Sequence, residues 1–288
     1  MMELFRALAV LAEPPREEAR GVAEALELGE LPPSSEYTEV FVFQLYPYAS
    51  VYLGAEGMLG GEARDLVAGF WRALGQTPPT EADHLAVVLA LYARLAELEE
   101  GDGEAARRAS WRGARKAFLW EHLLSWLPAY VAKLDDIAPP FYRRWGELLM
   151  KALLNEADVL GRQNALPLHL REAHALVDPR GGGAEEFRQS LLSPARSGMI
   201  LVRSDLSRAA RELQLGLRAG ERKFILQSLF NQDATMTLEW LAAEARVWTK
   251  RHRQHAATLG DVADAWASKA TATATLMREL KPSAEEVA

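Results

Sequence analysis

Cysteine is absent from the 288 residues, which excludes disulfides, thiolate catalysis and any zinc or iron–sulfur site built on Cys. No apolar run approaches the roughly 20 residues that a membrane span needs. A basic leader is also missing: Met1-Met2-Glu3 opens the chain, and "LFRALAVLA" is short and carries Arg6. The expectation is a soluble, cytoplasmic protein with no export signal. The motifs G-x-S-x-G, H-E-x-x-H and G-x-x-x-x-G-K-[ST] occur nowhere, so the common nucleophile, zinc-protease and phosphate-loop chemistries lack their residues. Alternating strand patterns are scarce as well.

What is present is apolar and unevenly charged. Hydrophobic residues make up 49% of the chain, enough for one large or two modest domains with a full core. Residues 1–160 hold 25 acidic and 15 basic side chains, and the remainder holds 15 acidic and 18 basic, against a total of −7. Eighteen of the 24 aromatic residues, every tyrosine among them, also lie in the first 160. An acidic, aromatic first half disfavours nucleic acid, whose phosphates need Lys and Arg. It suits a cationic and apolar partner, or else it is a solvated acidic surface over an ordinary core.

Helical periodicity runs through most of the chain. Residues 2–12 and 15–28 read as a helix pair joined by Glu13-Pro14-Pro15, with Pro15 in a first turn. Val40 to Leu53 is rich in β-branched and aromatic residues, but Tyr46-Pro47-Tyr48 makes a turn and no partner strand lies near. It reads as short helix plus loop. The stretch 63–75 carries Leu66, Val67, Phe70 and Leu74 on one face and stops at Gly75. Residues 83–99 repeat that spacing, with Thr80 and Asp83 as a start signal. Helices follow over 104–127, its extension 128–135, and 140–159 after Pro139-Pro140. From Gly161 the texture changes to prolines and a glycine triplet, which reads as a linker or lid over 161–183. Residues 184–280 resume as helices. The expected architecture is all-α: a bundle over 1–160 and an additional helical region over 184–288.

One stretch holds most of the chemistry: "FLWEHLLSWLPAYVAKLDDIAPPFY", 118–142. Glu121 and His122 are an acid and a base, but adjacent helical residues point about 100° apart and cannot serve one substrate atom unaided. Phe118, His122 and Trp126 share a face, while Trp120, Leu123, Leu127 and Tyr130 cover the next. Pro128 cannot donate to the carbonyl of Leu124, so the helix must bend or end there. Either these side chains wall a groove beside the bend, or all of them are core. "GAEGMLGG", 54–61, lacks the Lys of a phosphate cradle and reads as a turn. His252 and His255 in "KRHRQH" have the spacing of a metal pair but no third ligand nearby, and read as a solvated basic face.

Four stretches together carry a resemblance. "LFRALAVLAEPPREEARGVAEALELG" resembles the opening helix, proline turn and helix of the TorD/DmsD/NarJ family of redox-enzyme maturation chaperones. "YASVYLGAEGMLGG" is similar to its Ser-Val-Tyr-Leu and glycine segment. "PPTEADHLAVVLALYARLAELE" resembles the helix that begins with the family's E-P-x-D-H motif, and "FLWEHLLSWLPAYVAKLDDIAPPFYRRWGELL" its F-x-x-x-H-L-x-x-W-x-P segment. Order and spacing agree over about residues 3–160, nearest to the TorD branch, and the final 120 residues lie outside it. Glu81 departs from the pattern, standing where the family has proline, while Asp83-His84 is kept.

The resemblance implies a TorD-like helical chaperone rather than an enzyme. Such proteins hold the apo form of a molybdenum-cofactor oxidoreductase, bind its twin-arginine signal peptide and delay export until the cofactor is inserted. It implies no cofactor of the chaperone's own, and leaves open a homodimer formed by swapping domains. A basic pair followed by an apolar segment calls for carboxylates next to aromatic walls. The expected peptide groove is Asp83 and His84 with Trp71, Trp120, His122 and Trp126, and Tyr46, Pro47, Tyr48 and Tyr52 form a second wall. The simpler role for Asp83 is to satisfy first-turn amides. The alternative is a DNA-binding or regulatory protein using the basic 203–253 region, where "RSDLSRAARELQLGLRAGERKFILQSLF" loosely resembles a helix-turn-helix.

Overall fold

The computed structural model describes residues 2–54 and 57–281. Among these every regular element is helical, and the sole extended pairing is an isolated antiparallel bridge between Tyr48 and His84. The helix Leu85–Gly101 runs through the middle of the N-terminal part. Leu85, Val88, Leu89, Leu91, Tyr92 and Leu95 are buried on all its sides, as expected of a helix with almost no polar face. Met2–Leu11 lies along it, with Phe5 edge-on to Tyr92 at 4.6 Å. Pro140–Leu160 closes the bundle: Trp145 is fully buried and its indole N–H donates to the Leu8 carbonyl at 3.2 Å. A 3-10 turn at Glu17–Ala19 and the short helix Arg20–Ala25 stand where a longer second helix is expected. As expected, 40–53 holds helix and loop, the first part as a π-helical turn over Thr38–Gln44.

The stretch expected as one helix over 104–127 is broken. Ala105–Phe118 is α-helical, Leu119–Leu124 widens into a π-helical turn, and a new helix runs Leu127–Ile137. Pro128 therefore sits in a first turn, where the missing N–H has no partner to lose. The bend falls before Pro128 rather than at it.

The C-terminal residues do not stand apart. Ala234–Arg253 and Asp261–Glu279 form a hairpin packed along its length. The Trp266 indole donates to the Ser125 carbonyl at 2.8 Å, at the break in the N-terminal helix. Lys133, with 0% of its surface exposed, places Nζ 3.0 Å from both oxygens of Asp205. Asp205 also accepts the Val202 N–H at 2.9 Å, opening the helix Arg203–Glu212. Arg251 forks onto Asp136 at 2.6 and 2.7 Å. One apolar core runs through both parts.

Two connections thread between them. Residues 161–172 are tied to the bundle by Glu121, which accepts from Gln163 Nε2 at 2.7 Å and from the Leu168 N–H at 2.8 Å. Residues 190–202 are buried almost throughout. At Gly198, with φ +70°, an added Cβ would lie 2.3 Å from the Ala270 backbone nitrogen. The last helix presses on the chain there, and only glycine fits.

Candidate functional site

Three of the motifs meet at Ser50. The Ser50 N–H donates to Asp83 Oδ2 at 3.0 Å, and its hydroxyl accepts the Gly60 N–H at 3.0 Å. Around this knot the Ala49 N–H donates to the Asp83 carbonyl at 3.1 Å and the Leu85 N–H to the Pro47 carbonyl at 2.8 Å. Asp83, 2% exposed, thus caps an amide of the neighbouring helix Ala49–Leu53. Its own helix is capped by His84, whose Nδ1 accepts the Ala86 N–H at 3.2 Å. The simple role foreseen for Asp83 holds in kind but lies on another helix. Of "GAEGMLGG", Ala55 and Glu56 fall outside the described residues, while Gly57, Gly60 and Gly61 all take positive φ.

An acidic surface lies over the knot. Tyr48 stacks edge-on to His84 at 4.9 Å and donates its hydroxyl to Glu81 at 3.0 Å. Glu13, from the proline turn, brings Oε1 to 3.7 Å from His84 Nδ1. That contact is no ion pair at neutral pH, because Nδ1 is already accepting a hydrogen bond and the ring is neutral. Burial lowers the His84 pKa, against the raising pull of Glu13, Glu81 and Asp83. Burial and then the Glu81 hydrogen bond raise that of Tyr48. Among the described residues neither Glu13 nor Glu81 meets a lysine or arginine.

The aromatic wall expected from 118–130 is corrected by the structure. Trp126 is 0% exposed, stacked flat on Tyr52 at 5.2 Å, and Trp120, His122 and Tyr52 are buried too. The Trp126 indole N–H donates to the His122 carbonyl at 2.8 Å, so the polar edge of this ring is satisfied within the core. His122 lies between Phe70 and Phe118, and burial pushes its pKa down to about 3. These four residues are core. Trp71 is half-buried on the helix Glu62–Ala73, its indole N–H enclosed without an acceptor among the described residues. Tyr46 is exposed, Pro47 buried and Tyr48 half-buried. Sequence reasoning overlooked Ser50, and it read Glu13 and Glu81 only as a turn residue and a departure from a motif.

Neither remaining motif becomes a site. His252 is buried with Nε2 2.8 Å from the Gly198 carbonyl, not on a solvated face, and burial pushes its pKa down to about 4. No group of His, Asp and Glu fit to hold a metal occurs among the described residues. The resemblance to a helix-turn-helix also fails: Arg203–Glu212 and Arg222–Gln232 are separated by a nine-residue loop (213–221) in place of a tight turn, and Arg208 is paired with Asp205, Glu212 and Glu244. No helix among the described residues is long and apolar enough to cross a membrane.

Compared with known proteins, residues 9–132 match the family described as nitrate reductase delta subunit. That stretch begins before Glu13 and ends after Trp126, so it contains the knot and the acidic surface. Over that stretch the chain is similar to the TorD-like chaperones. The protein named chaperone protein TorD of Vibrio vulnificus (strain CMCP6) is 31% identical over 122 residues, 40% of this chain and 55% of that one. Its namesake in Vibrio cholerae serotype O1 is 34% identical over 91 residues, 30% and 41% of the two chains. The chain spans about half the length of the curated relatives it matches. No solved structure matches.

Proposed function

We propose that this protein is a cytoplasmic chaperone for the apo form of a molybdenum-cofactor oxidoreductase, and that it reads the client's twin-arginine signal peptide on the surface over Ser50. The observation that carries this is the pair Glu13 and Glu81. Glu81 accepts from half-buried Tyr48 and Glu13 faces the neighbouring His84, and among the described residues neither carboxylate meets a lysine or arginine. An arginine pair supplies planar donors to such carboxylates, and the apolar segment after it covers the tyrosine face. Asp83 and His84 act as positioning residues: they fix the bridge that holds Tyr48 and Glu81 side by side. Catalysis is not part of this role.

Calorimetric titration with a synthetic twin-arginine signal peptide tests the reading. Binding is expected, weakened about tenfold or more by replacing both arginines with lysine or by Glu13→Gln with Glu81→Gln. The loss should be larger at low salt, where the charges are least screened. A peptide that binds the double variant as tightly as the unmodified protein would exclude this surface.

A further inference from the structure

We propose a second client surface: a groove shared by the two parts of the chain that takes a segment in which carboxylates alternate with large apolar side chains. Its volume is about 540 Å³. Phe43, Tyr46 and Met58 supply the apolar floor, and Arg203, Arg222 and Lys223 the cationic rim. The floor is wet, with Phe43 47% and Met58 61% exposed.

The groove is built rather than incidental. The Gln44 side chain accepts the Ser204 N–H at 3.1 Å, tying one wall to the other. Gly57, at φ +63°, lets the loop carrying Met58 approach Leu192 and Ser193, where a Cβ would sit 3.2 Å from backbone. Charge complementarity names the occupant. The half-buried Arg222 donates to the Leu201 carbonyl at 2.8 Å and meets no carboxylate among the described residues. Burial lowers its pKa, so its charge is held at a cost that an incoming carboxylate would offset. Arg203 has no side-chain partner among the described residues, and Lys223 has only the exposed Glu221 at 3.8 Å and the Phe224 ring face at 4.9 Å. On a chain of net charge −7 this is a local reversal of sign. Three cations over an apolar floor suit an acidic apolar peptide better than a polyphosphate backbone, which asks for a longer basic track.

The groove uses none of Glu13, Glu81, Tyr48, Asp83 or His84, although its Tyr46 belongs to the wall first expected for the signal peptide, and it rests on the chaperone reading only for the source of its occupant. Random short peptides displayed on phage, selected on the immobilised full-length chain, provide the test. Enrichment of Asp and Glu next to Leu, Phe or Trp is expected. A selected peptide should lose about tenfold or more in affinity for Arg203→Glu with Lys223→Glu. It should regain affinity for that variant when its own carboxylates are changed to lysine. Both positions are exposed, and circular dichroism checks that the variant keeps its helices. Signal-peptide titration should be unchanged by the pair, so that failure here and failure at the acidic surface are told apart. The proposal is overturned by no acidic enrichment, by equal affinity for the variant, by equally tight binding of single-stranded DNA, or by a sedimenting dimer that the same pair dissolves.

Discussion

Trp126 shows what a sequence can and cannot say about one side chain. Its place on a stripe with Phe118 and His122 was readable, but core and groove both want large apolar residues at helical spacing. The decision lay in contacts with Tyr52 and Tyr130, distant in sequence. Trp126→Ala should therefore cost on the order of 3–5 kcal/mol in urea unfolding and leave peptide affinity per folded molecule unchanged. The Asp83-His84 pair was more legible, since capping is local chemistry, although the helix that Asp83 caps was not. Asp83→Ala strands the Ser50 N–H and should cost about 1–3 kcal/mol. Asp83→Asn keeps an acceptor and should move the melting temperature little. His122 carries a pH signature. Its folded pKa is depressed to about 3, while the unfolded value is near 6.5. Below about 6.5 the unfolded chain takes up a proton that the folded chain refuses, so stability falls with pH down to about 3 and is flat above. Relative to the unmodified protein, His122→Leu should lower the slope of stability against pH by about one proton, roughly 1.4 kcal/mol per unit, between pH 4 and 6. Parallel slopes would show that His122 is protonated in the fold.

Among the elements, the helices were legible because a 3.6-residue period states itself in every turn. Their interruptions were not. The π-helical turns at Thr38–Gln44 and Leu119–Leu124 widen the backbone without any proline or glycine to announce them. The buried run 190–202 was hidden for a related reason. It has no period, because it is packed from several sides rather than along one face. Gly198 is its most exacting position. Gly198→Ala should destabilise by several kcal/mol, since the added methyl meets the backbone of the last helix and φ is positive. Thermal unfolding should show a large drop, and Ala270→Gly should not rescue it, because the collision is with main chain. Rescue would show that the last helix can slide.

For the molecule as a whole, the all-α class and the TorD-like resemblance of the first half were readable, whereas the role of the C-terminal residues was not. Their main work is contact, and contact surfaces have no motif. Trp266 fills the break at Ser125, and Asp205 neutralises Lys133. Losing one partner leaves the other charge buried, so Lys133→Ala and Asp205→Ala should each cost about 3–5 kcal/mol, with strong coupling in a double-mutant cycle. A fragment ending at residue 160 should lose the sharp near-ultraviolet signal of a packed core. That same ion pair sets a timetable for synthesis. Lys133 leaves the ribosome 72 residues ahead of Asp205, an interval of about 4–14 seconds at translation rates of roughly 5–20 residues per second. Through that interval the nascent N-terminal bundle carries a cation whose one counter-charge to hand is the partly exposed Asp136, 3.2 Å away, at the place it must bury. Its final packing waits for the second half to emerge, and a ribosome that stalls between the two leaves a bundle that chaperones or proteases can still engage.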